Sequence, residues 1–172
     1  MRKLLFILAA LAALGLGMLA RSWLSVAPAA VPDLAVEFPD LEGKRHRLEE
    51  WKGKILVVNF WATWCPPCLE EMPEFVKLQD ELGPRGLQFV SIAIDDAKSV
   101  ANFLASKPVN YPILIGEDGG EAWAAKLGNR MSVLPFSAVF DFSGKLAHVQ
   151  AGLFRRDDLL QVVDSLQKAP AR

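Results

Sequence analysis

The chain has 172 residues, of which 52% are hydrophobic and 23% charged, and this composition excludes a disordered or fibrous protein. Lysine and arginine number 19 against 20 aspartate and glutamate, so no basic field attracts nucleic acid. Two cysteines are too few for a disulfide-stapled small fold or a four-cysteine zinc site.

The N-terminal sequence is typical of a targeting segment. Arg2 and Lys3 precede an apolar run at 4–20, which is close to the length of a membrane span, about 20 residues. We interpret 1–21 as a membrane anchor, with a cleaved signal peptide as the alternative, cut near Ala27-Pro28-Ala29. Because the positive flank stays in the cytoplasm, we expect the remaining chain to face an oxidising compartment.

A short linker at 22–33, rich in alanine and proline, leads into one globular domain at 34–169. Glu42-Gly43 predicts a β-hairpin between 34–41 and 44–48. The apolar patterns predict strands over 55–61, 87–94, 111–115, 137–142 and 145–150, and helices over 66–82, 99–107, 120–127 and 155–168. Because strands and helices alternate, we expect an α/β fold whose sheet contains parallel strands.

The two cysteines form a C-x-x-C motif at the start of a predicted helix. Cys65 and Cys68 follow a buried strand, and their spacing allows a disulfide. The helix N-terminus favours the thiolate of Cys65, which is the form that attacks a disulfide. Cys68, one turn further and more buried, suits the resolving role. A zinc site, which would need both histidines, and a purely structural disulfide are the weaker interpretations.

Two prolines separate the cysteines. Pro66 suits the first helical turn, where an N–H is not needed. Pro67 removes one of the N–H groups that could donate to the Cys65 thiolate, and leaves that of Cys68. We therefore expect a milder lowering of the Cys65 pKa, a less stabilised reduced form and a more reducing couple.

Glu71 shares one predicted helix face with Cys68 in an otherwise apolar stripe that contains Trp64, Phe75, Leu78 and Leu82. Burial there raises the pKa of a carboxyl group, and Glu71 lies one turn beyond Cys68, within reach of its proton. The alternative is that Glu71 pairs with a cation at the edge of the sheet.

Two further residues lie near the motif in the predicted fold. Asn59, six positions before Cys65, cannot titrate, and we expect it to hydrogen-bond the backbone. Pro135 follows Leu134 at the start of a predicted strand, where a trans bond is the ordinary expectation because only about 5–6% of X-Pro bonds are cis.

The motif region resembles thioredoxin-like proteins of the TlpA/ResA type. The resemblance covers about 34–167 and is carried by Asn59-Phe60-Trp61-Ala62-Thr63-Trp64-Cys65-Pro66-Pro67-Cys68, then Glu71, Pro73 and Leu134-Pro135. It implies a thioredoxin fold with three α/β/α layers and a mixed central sheet. It also implies an N-terminal β-hairpin extension and a central insertion, here around 97–115.

The resemblance also implies roles for individual residues. Glu71 matches the buried active-site glutamate of the family, and Pro135 its cis proline beside the cysteines. We expect five residues to contact the partner: Trp64, Pro66, Pro67, Leu134 and Pro135. The family usually has threonine after the cis proline, and Phe136 stands here. We expect this residue to border the partner groove and to affect specificity.

We therefore predict a monomeric, membrane-anchored thiol–disulfide oxidoreductase on the periplasmic side of a bacterial inner membrane. It reduces disulfides in partner proteins, as do family members in cytochrome c maturation, with Cys65 attacking, Cys68 resolving and Glu71 assisting proton transfer. We expect no cofactor beyond the cysteine pair, no metal, and a membrane thiol as electron donor.

Two other functions remain as alternatives. One is a peroxiredoxin-like peroxidase, whose threonine three positions before the reactive cysteine is here replaced by Ala62. The other is a non-catalytic module that binds apoproteins.

Overall fold

The structure is a computed structural model that describes residues 34–168. The predicted anchor at 1–21 and the linker at 22–33 lie outside the described residues. Between residues 34 and 168, no helix is both long enough and apolar enough to cross a membrane.

Seven strands and four α-helices follow one another along the described part of the chain. The strands are β1 (Glu37–Pro39), β2 (Arg45–Arg47), β3 (Ile55–Trp61), β4 (Leu87–Ala93), β5 (Ile113–Ile115), β6 (Phe136–Phe140) and β7 (Leu146–Ala151). The helices are α1 (Pro66–Leu82), α2 (Ala97–Ser106), α3 (Gly120–Lys126) and α4 (Arg156–Lys168). Short 3-10 turns occupy Leu48–Trp51 and Gly83–Arg85.

Five strands form one mixed sheet in the order β5-β4-β3-β6-β7. Strands β3, β4 and β5 are parallel, and β6 and β7 run antiparallel to their neighbours. Strand β3 lies at the centre with all seven residues buried, as its nearly continuous apolar run predicts. The predicted bounds of β3 and α1 are confirmed, and the N-terminal hairpin forms as a separate pair, β1 and β2.

Helices cover both faces of the sheet, which confirms the three-layer thioredoxin fold. One apolar core lies beneath α1 and α4 and contains both cysteines, Phe75 and Leu159. The second core lies on the opposite face and includes Trp123 of α3. The expected insertion around 97–115 corresponds to α2 and β5, which adds the edge strand.

Candidate active site

Cys65 and Cys68 form a disulfide at the N-terminus of α1, directly after the loop that follows the central strand. Their Cα atoms are 5.3 Å apart. Cys65 is the N-cap residue of the helix, and it is 4% exposed against 0% for Cys68. The sequence prediction that Cys68 is the more deeply buried sulfur is therefore confirmed.

Both prolines of the motif lie in the first turn of α1. Pro66 and Pro67 occupy the first two helical positions, so the first free backbone N–H of the helix belongs to Cys68. Because Pro67 has no N–H to donate, we expect the helix N-terminus to stabilise the Cys65 thiolate less than it would in a motif without that proline.

The loop before the cysteines is anchored to the end of the neighbouring strand β4. The Oδ2 atom of Asp95 accepts hydrogen bonds from the Thr63 backbone N–H at 3.1 Å and from the Thr63 hydroxyl at 2.5 Å. Trp64 follows this anchor and is 66% exposed. Our placement of Trp64 in the buried stripe is wrong, because α1 begins only at Pro66 and helical periodicity does not extend back to residue 64.

Glu71 is a buried carboxyl group with two donors and no cation. Its Oε1 accepts from Asn59 Nδ2 at 2.8 Å, and its Oε2 accepts from the Phe154 backbone N–H at 2.9 Å. Burial raises its pKa from 4.5 to about 7, although the bonds from Phe154 and Asn59 lower it. Within residues 34–168 Glu71 makes no ion pair, so the alternative of a cation partner is wrong.

Asn59 binds side chains and not the backbone, contrary to our expectation. Its amide nitrogen donates to Glu71 and also to Ser137 Oγ at 3.1 Å. The Ser91 hydroxyl donates to its carbonyl oxygen at 3.4 Å. Serines at matching positions of the two neighbouring strands satisfy the amide, and the strand pairing that brings them there is not visible in the local sequence.

A cleft of about 400 Å³ opens beside Glu71. It is lined by Glu70, Glu71, Glu74 and residues 153–157, which precede and begin α4. Charged side chains of both signs line this cleft next to Glu71.

The Leu134–Pro135 peptide bond is cis, as the resemblance implies. Pro135 directly precedes β6, whose first residue pairs with Phe60, one position before the end of β3. Since the chain continues from β3 towards Cys65, the proline and the cysteines lie at the same edge of the sheet. Pro135 is buried and Leu134 is half-buried against both apolar cores.

Phe136 does not border this edge with its side chain, so that expectation is wrong. The side chain is 2% exposed and packs in the second core, with its ring 5.8 Å from the ring of Phe60. The alternation of side chains along β6 directs residue 136 to the face opposite the cysteines.

The loop before the cis proline projects one apolar side chain into solvent. Met131 is 85% exposed. Asn129, itself 6% exposed, clamps the loop by accepting from the Val133 N–H and donating to the Val133 carbonyl, both at 2.9 Å. Ser132 takes a left-handed conformation with φ of 48°. These contacts fix the loop in the conformation that exposes Met131.

Sequence reasoning missed three residues near the site. Asp95 could have been found, because it directly follows a buried strand parallel to β3, and such strands end at the same edge. Met131 and Phe154 carried no comparable signal, because their positions depend on loop geometry. In the part of the chain that the structure describes, no cluster of His, Cys, Asp or Glu is arranged to hold a metal.

A disulfide that caps a helix after the central strand, with a cis proline at the same sheet edge, defines a thioredoxin-fold thiol–disulfide oxidoreductase. The Redoxin family model matches residues 27–165, and the chain belongs to this family.

Two relatives of this chain are named as a thiol-disulfide oxidoreductase and as a thioredoxin-like protein. The thiol-disulfide oxidoreductase ResA of Geobacillus thermodenitrificans is 30% identical over 168 residues, covering 96% of this chain and 94% of that protein. The thioredoxin-like protein YneN of Bacillus subtilis is 34% identical over 137 residues, covering 77% of this chain and 76% of that protein.

A solved structure of similar fold belongs to the same class of protein. The thioredoxin-family thiol:disulfide interchange protein of Chlorobium tepidum superposes with a TM-score of 0.66 at 28% identity, covering 80% of this chain and 96% of that one. The chain is therefore a thioredoxin-like enzyme of the ResA type that acts on protein thiols.

Proposed function

We propose that this protein reduces disulfide bonds in partner proteins on the periplasmic side of a bacterial inner membrane, with apocytochromes c as the partner class. The observation that carries the proposal is the Cys65–Cys68 disulfide, with the buried carboxyl of Glu71 one helical turn beyond the second cysteine. The direction of reduction is supported by Pro67, which removes one donor to the Cys65 thiolate. The apocytochrome class rests on the resemblance to TlpA/ResA-type proteins.

The first step is attack by the more exposed sulfur. In the reduced protein the Cys65 thiolate attacks one sulfur of the partner disulfide. A Cys65–partner disulfide forms, the partner's own S–S bond breaks, and its second sulfur leaves as a thiolate that takes a proton from solvent. The helix N-terminus stabilises the Cys65 thiolate before this attack.

The second step uses the buried half of the site. Glu71 accepts the proton of the Cys68 thiol, and the resulting thiolate attacks the Cys65 sulfur. The Cys65–partner bond breaks, and the partner sulfur leaves as a thiolate that takes a proton from solvent. The partner is then a dithiol that has gained two electrons and two protons, and Glu71 releases the proton it took from Cys68 to solvent. The protein keeps the Cys65–Cys68 disulfide, the form seen in the structure, until a membrane dithiol donor returns two electrons.

The partner contacts the sheet edge around the disulfide. Trp64 offers exposed apolar surface there and Pro66 is also exposed, while Met131 is exposed in the loop that leads to Pro135. Pro67, Leu134 and Pro135 complete this edge beside the cysteines, and only Pro135 among them is fully buried. An extended segment on either side of a partner cysteine fits such exposed apolar side chains better than a small polar thiol does.

The location rests on the N-terminal sequence. Arg2 and Lys3 before the apolar run at 4–20 orient the globular domain outwards. The run either stays as an anchor or is removed, and both outcomes leave the domain in a compartment where protein disulfides form.

Trapping the mixed disulfide tests the proposal. The variant Cys68→Ser cannot complete the second step, so it should accumulate a covalent complex with a disulfide-containing apocytochrome c. The matched variant Cys65→Ser should form none, since it lacks the attacking sulfur. Complexes formed equally by both variants, or by neither, contradict the assigned order of attack. Turnover of hydrogen peroxide by the wild type would instead support the peroxidase alternative.

A further inference from the structure

A row of three polar residues crosses the sheet inside the apolar core. Asn59 of β3 pairs in register with Ser91 of β4 on one side and with Ser137 of β6 on the other. Their exposed fractions are 0%, 0% and 1%. Neighbours on the same face, such as Val57 and Trp61, are apolar. Buried polar groups persist in such surroundings only when their hydrogen bonds are satisfied.

The two serines fix which way the Asn59 amide points. Ser91 Oγ donates to Oδ1 at 3.4 Å, so the carbonyl side of the amide faces β4. Nδ2 donates one hydrogen to Ser137 Oγ at 3.1 Å and the other to Glu71 Oε1 at 2.8 Å. Both amide hydrogens are used, and the shorter of these two bonds goes to the carboxyl group.

Glu71 is thereby held from two sides as an acceptor. Asn59 donates to Oε1, and the Phe154 backbone N–H donates to Oε2 at 2.9 Å. We propose that Asn59, oriented by Ser91 and Ser137, is the positioning residue that keeps Glu71 aimed and ionised to accept the proton of Cys68. This inference rests on the proposed role of Glu71 in the second step.

An amide at position 59 suits this role better than a carboxylate or an apolar side chain. An aspartate at position 59 would place a second carboxyl group against Glu71, and two adjacent carboxylates resist ionisation together. A leucine would leave Oε1 buried without a donor. An amide keeps its donor at every pH, so the support that it gives to Glu71 does not itself titrate.

Several titratable or charged groups face Glu71 and its donors and could affect its ionisation. Burial raises the pKa of Tyr111, which therefore stays neutral near pH 7. The ring of His148 lies 5.5 Å from that of Phe154. The cleft contributes Glu70, Glu74, Arg155, Arg156 and Asp157. Glu71 takes its two hydrogen bonds from Asn59 and Phe154, and a change at His148 removes neither, so His148 supplies the control.

The test is a titration of the Glu71 carboxyl by NMR of the oxidised full-length protein, with glutamate labelled at the carboxyl carbon. Glu71→Gln identifies the signal. Asn59→Leu should move the midpoint upwards by about one pH unit, because a hydrogen bond to a charged acceptor has about this effect on proton affinity. Asn59→Asp should give the two-step titration of a coupled carboxyl pair, with the upper step above the wild-type midpoint, and His148→Gln should leave the midpoint within a few tenths of a unit.

A wild-type midpoint in both Asn59 variants overturns the inference. Asn59→Asp keeps the shape of the side chain, so it carries the test even where Asn59→Leu does not fold. The rate at which Cys68 resolves a mixed disulfide, followed from pH 5 to 9, separates the two proposals. An unchanged rate profile in Glu71→Gln refutes the role of Glu71. If the pH dependence of this rate changes in Glu71→Gln but stays as in the wild type in both Asn59 variants, only the role of Asn59 is refuted.

Discussion

Phe154 donates its backbone N–H to Glu71 Oε2 at 2.9 Å, although 83 positions separate the two residues in the chain. The bond joins the active-site helix α1 to the segment that precedes α4. The Phe154 side chain is 2% exposed and packs in the core that contains both cysteines, which holds this donor in place. The last part of the fold therefore helps to set the acid–base properties of the site.

The raised pKa of Glu71 makes stability depend on pH. The folded protein releases the Glu71 proton at about pH 7, against 4.5 for the ordinary group, so the folded state binds more protons between these values. The contribution of Glu71 to stability is then fully present below pH 4.5 and is lost as pH rises through 7. At about 1.4 kcal/mol per pH unit, the loss is roughly 3 kcal/mol.

Urea unfolding of the oxidised wild type and of Glu71→Gln at pH 4 to 8 measures this contribution. The difference in unfolding free energy between the two proteins should change in favour of the variant as pH rises. A difference that stays constant across this range contradicts the assigned ionisation of Glu71.

Asp95 should affect activity although it lies outside the C-x-x-C motif. Asp95→Ala removes both hydrogen bonds to Thr63 and frees the loop that presents Trp64 and Cys65. We expect kcat/KM for a protein disulfide to fall about tenfold, since small misplacements of reacting groups are costly. Asp95 and Glu117 both line a groove beside this loop, and Glu117→Gln removes a negative charge there while the Asp95–Thr63 hydrogen bonds stay, so it should retain wild-type activity. If kcat/KM falls equally in both variants, the loss comes from the removed negative charge and not from the hydrogen bonds to Thr63.

Phe136 should matter for stability and not for partner choice. Phe136→Thr leaves a cavity beside Phe60 in the second core, and large-to-small changes of this kind cost about 3 kcal/mol. Phe136→Leu keeps most of the volume and should cost less. Steady-state assays with two different protein disulfides should give unchanged KM ratios in both variants. An altered ratio would restore residue 136 to the partner groove.

Met131 should contribute to the binding of protein partners. Met131→Glu places a charge on the exposed apolar edge, and we expect KM for a protein disulfide to rise several-fold, with unchanged activity on a small aromatic disulfide. Because the side chain is 85% exposed, the unfolding free energy should change by less than about 0.5 kcal/mol. Phe142→Glu is the matched control, since Phe142 follows the far end of β6 and is also exposed.

Much of the fold could be predicted because its elements follow local physical rules. Strand β3 was recognisable from an apolar run too long and too β-branched for a surface strand. The start of α1 was marked by Pro66, which fits the first turn of a helix and few later positions. The buried state of Glu71 followed from the apolar residues that share its helix face.

The parts that could not be predicted depend on contacts between distant segments. The partners of Asn59 lie on β4 and β6, and only the register of the sheet brings them to the amide. The N–H of Phe154 reaches Glu71 through the docking of the chain before α4. Phe136 was misplaced for a related reason, because the direction of its side chain depends on where β6 begins after the cis proline.

The reduction potential of the Cys65/Cys68 couple tests the central claim most directly. The full-length protein is equilibrated with defined ratios of reduced and oxidised glutathione or dithiothreitol, and the fraction of dithiol is measured by alkylation. We predict a potential at or below that of cytosolic thioredoxin, ~−270 mV, as a reductase supplied with electrons by a membrane dithiol requires. A potential near ~−120 mV, typical of a disulfide donor, would contradict both the direction of transfer and the effect assigned to Pro67.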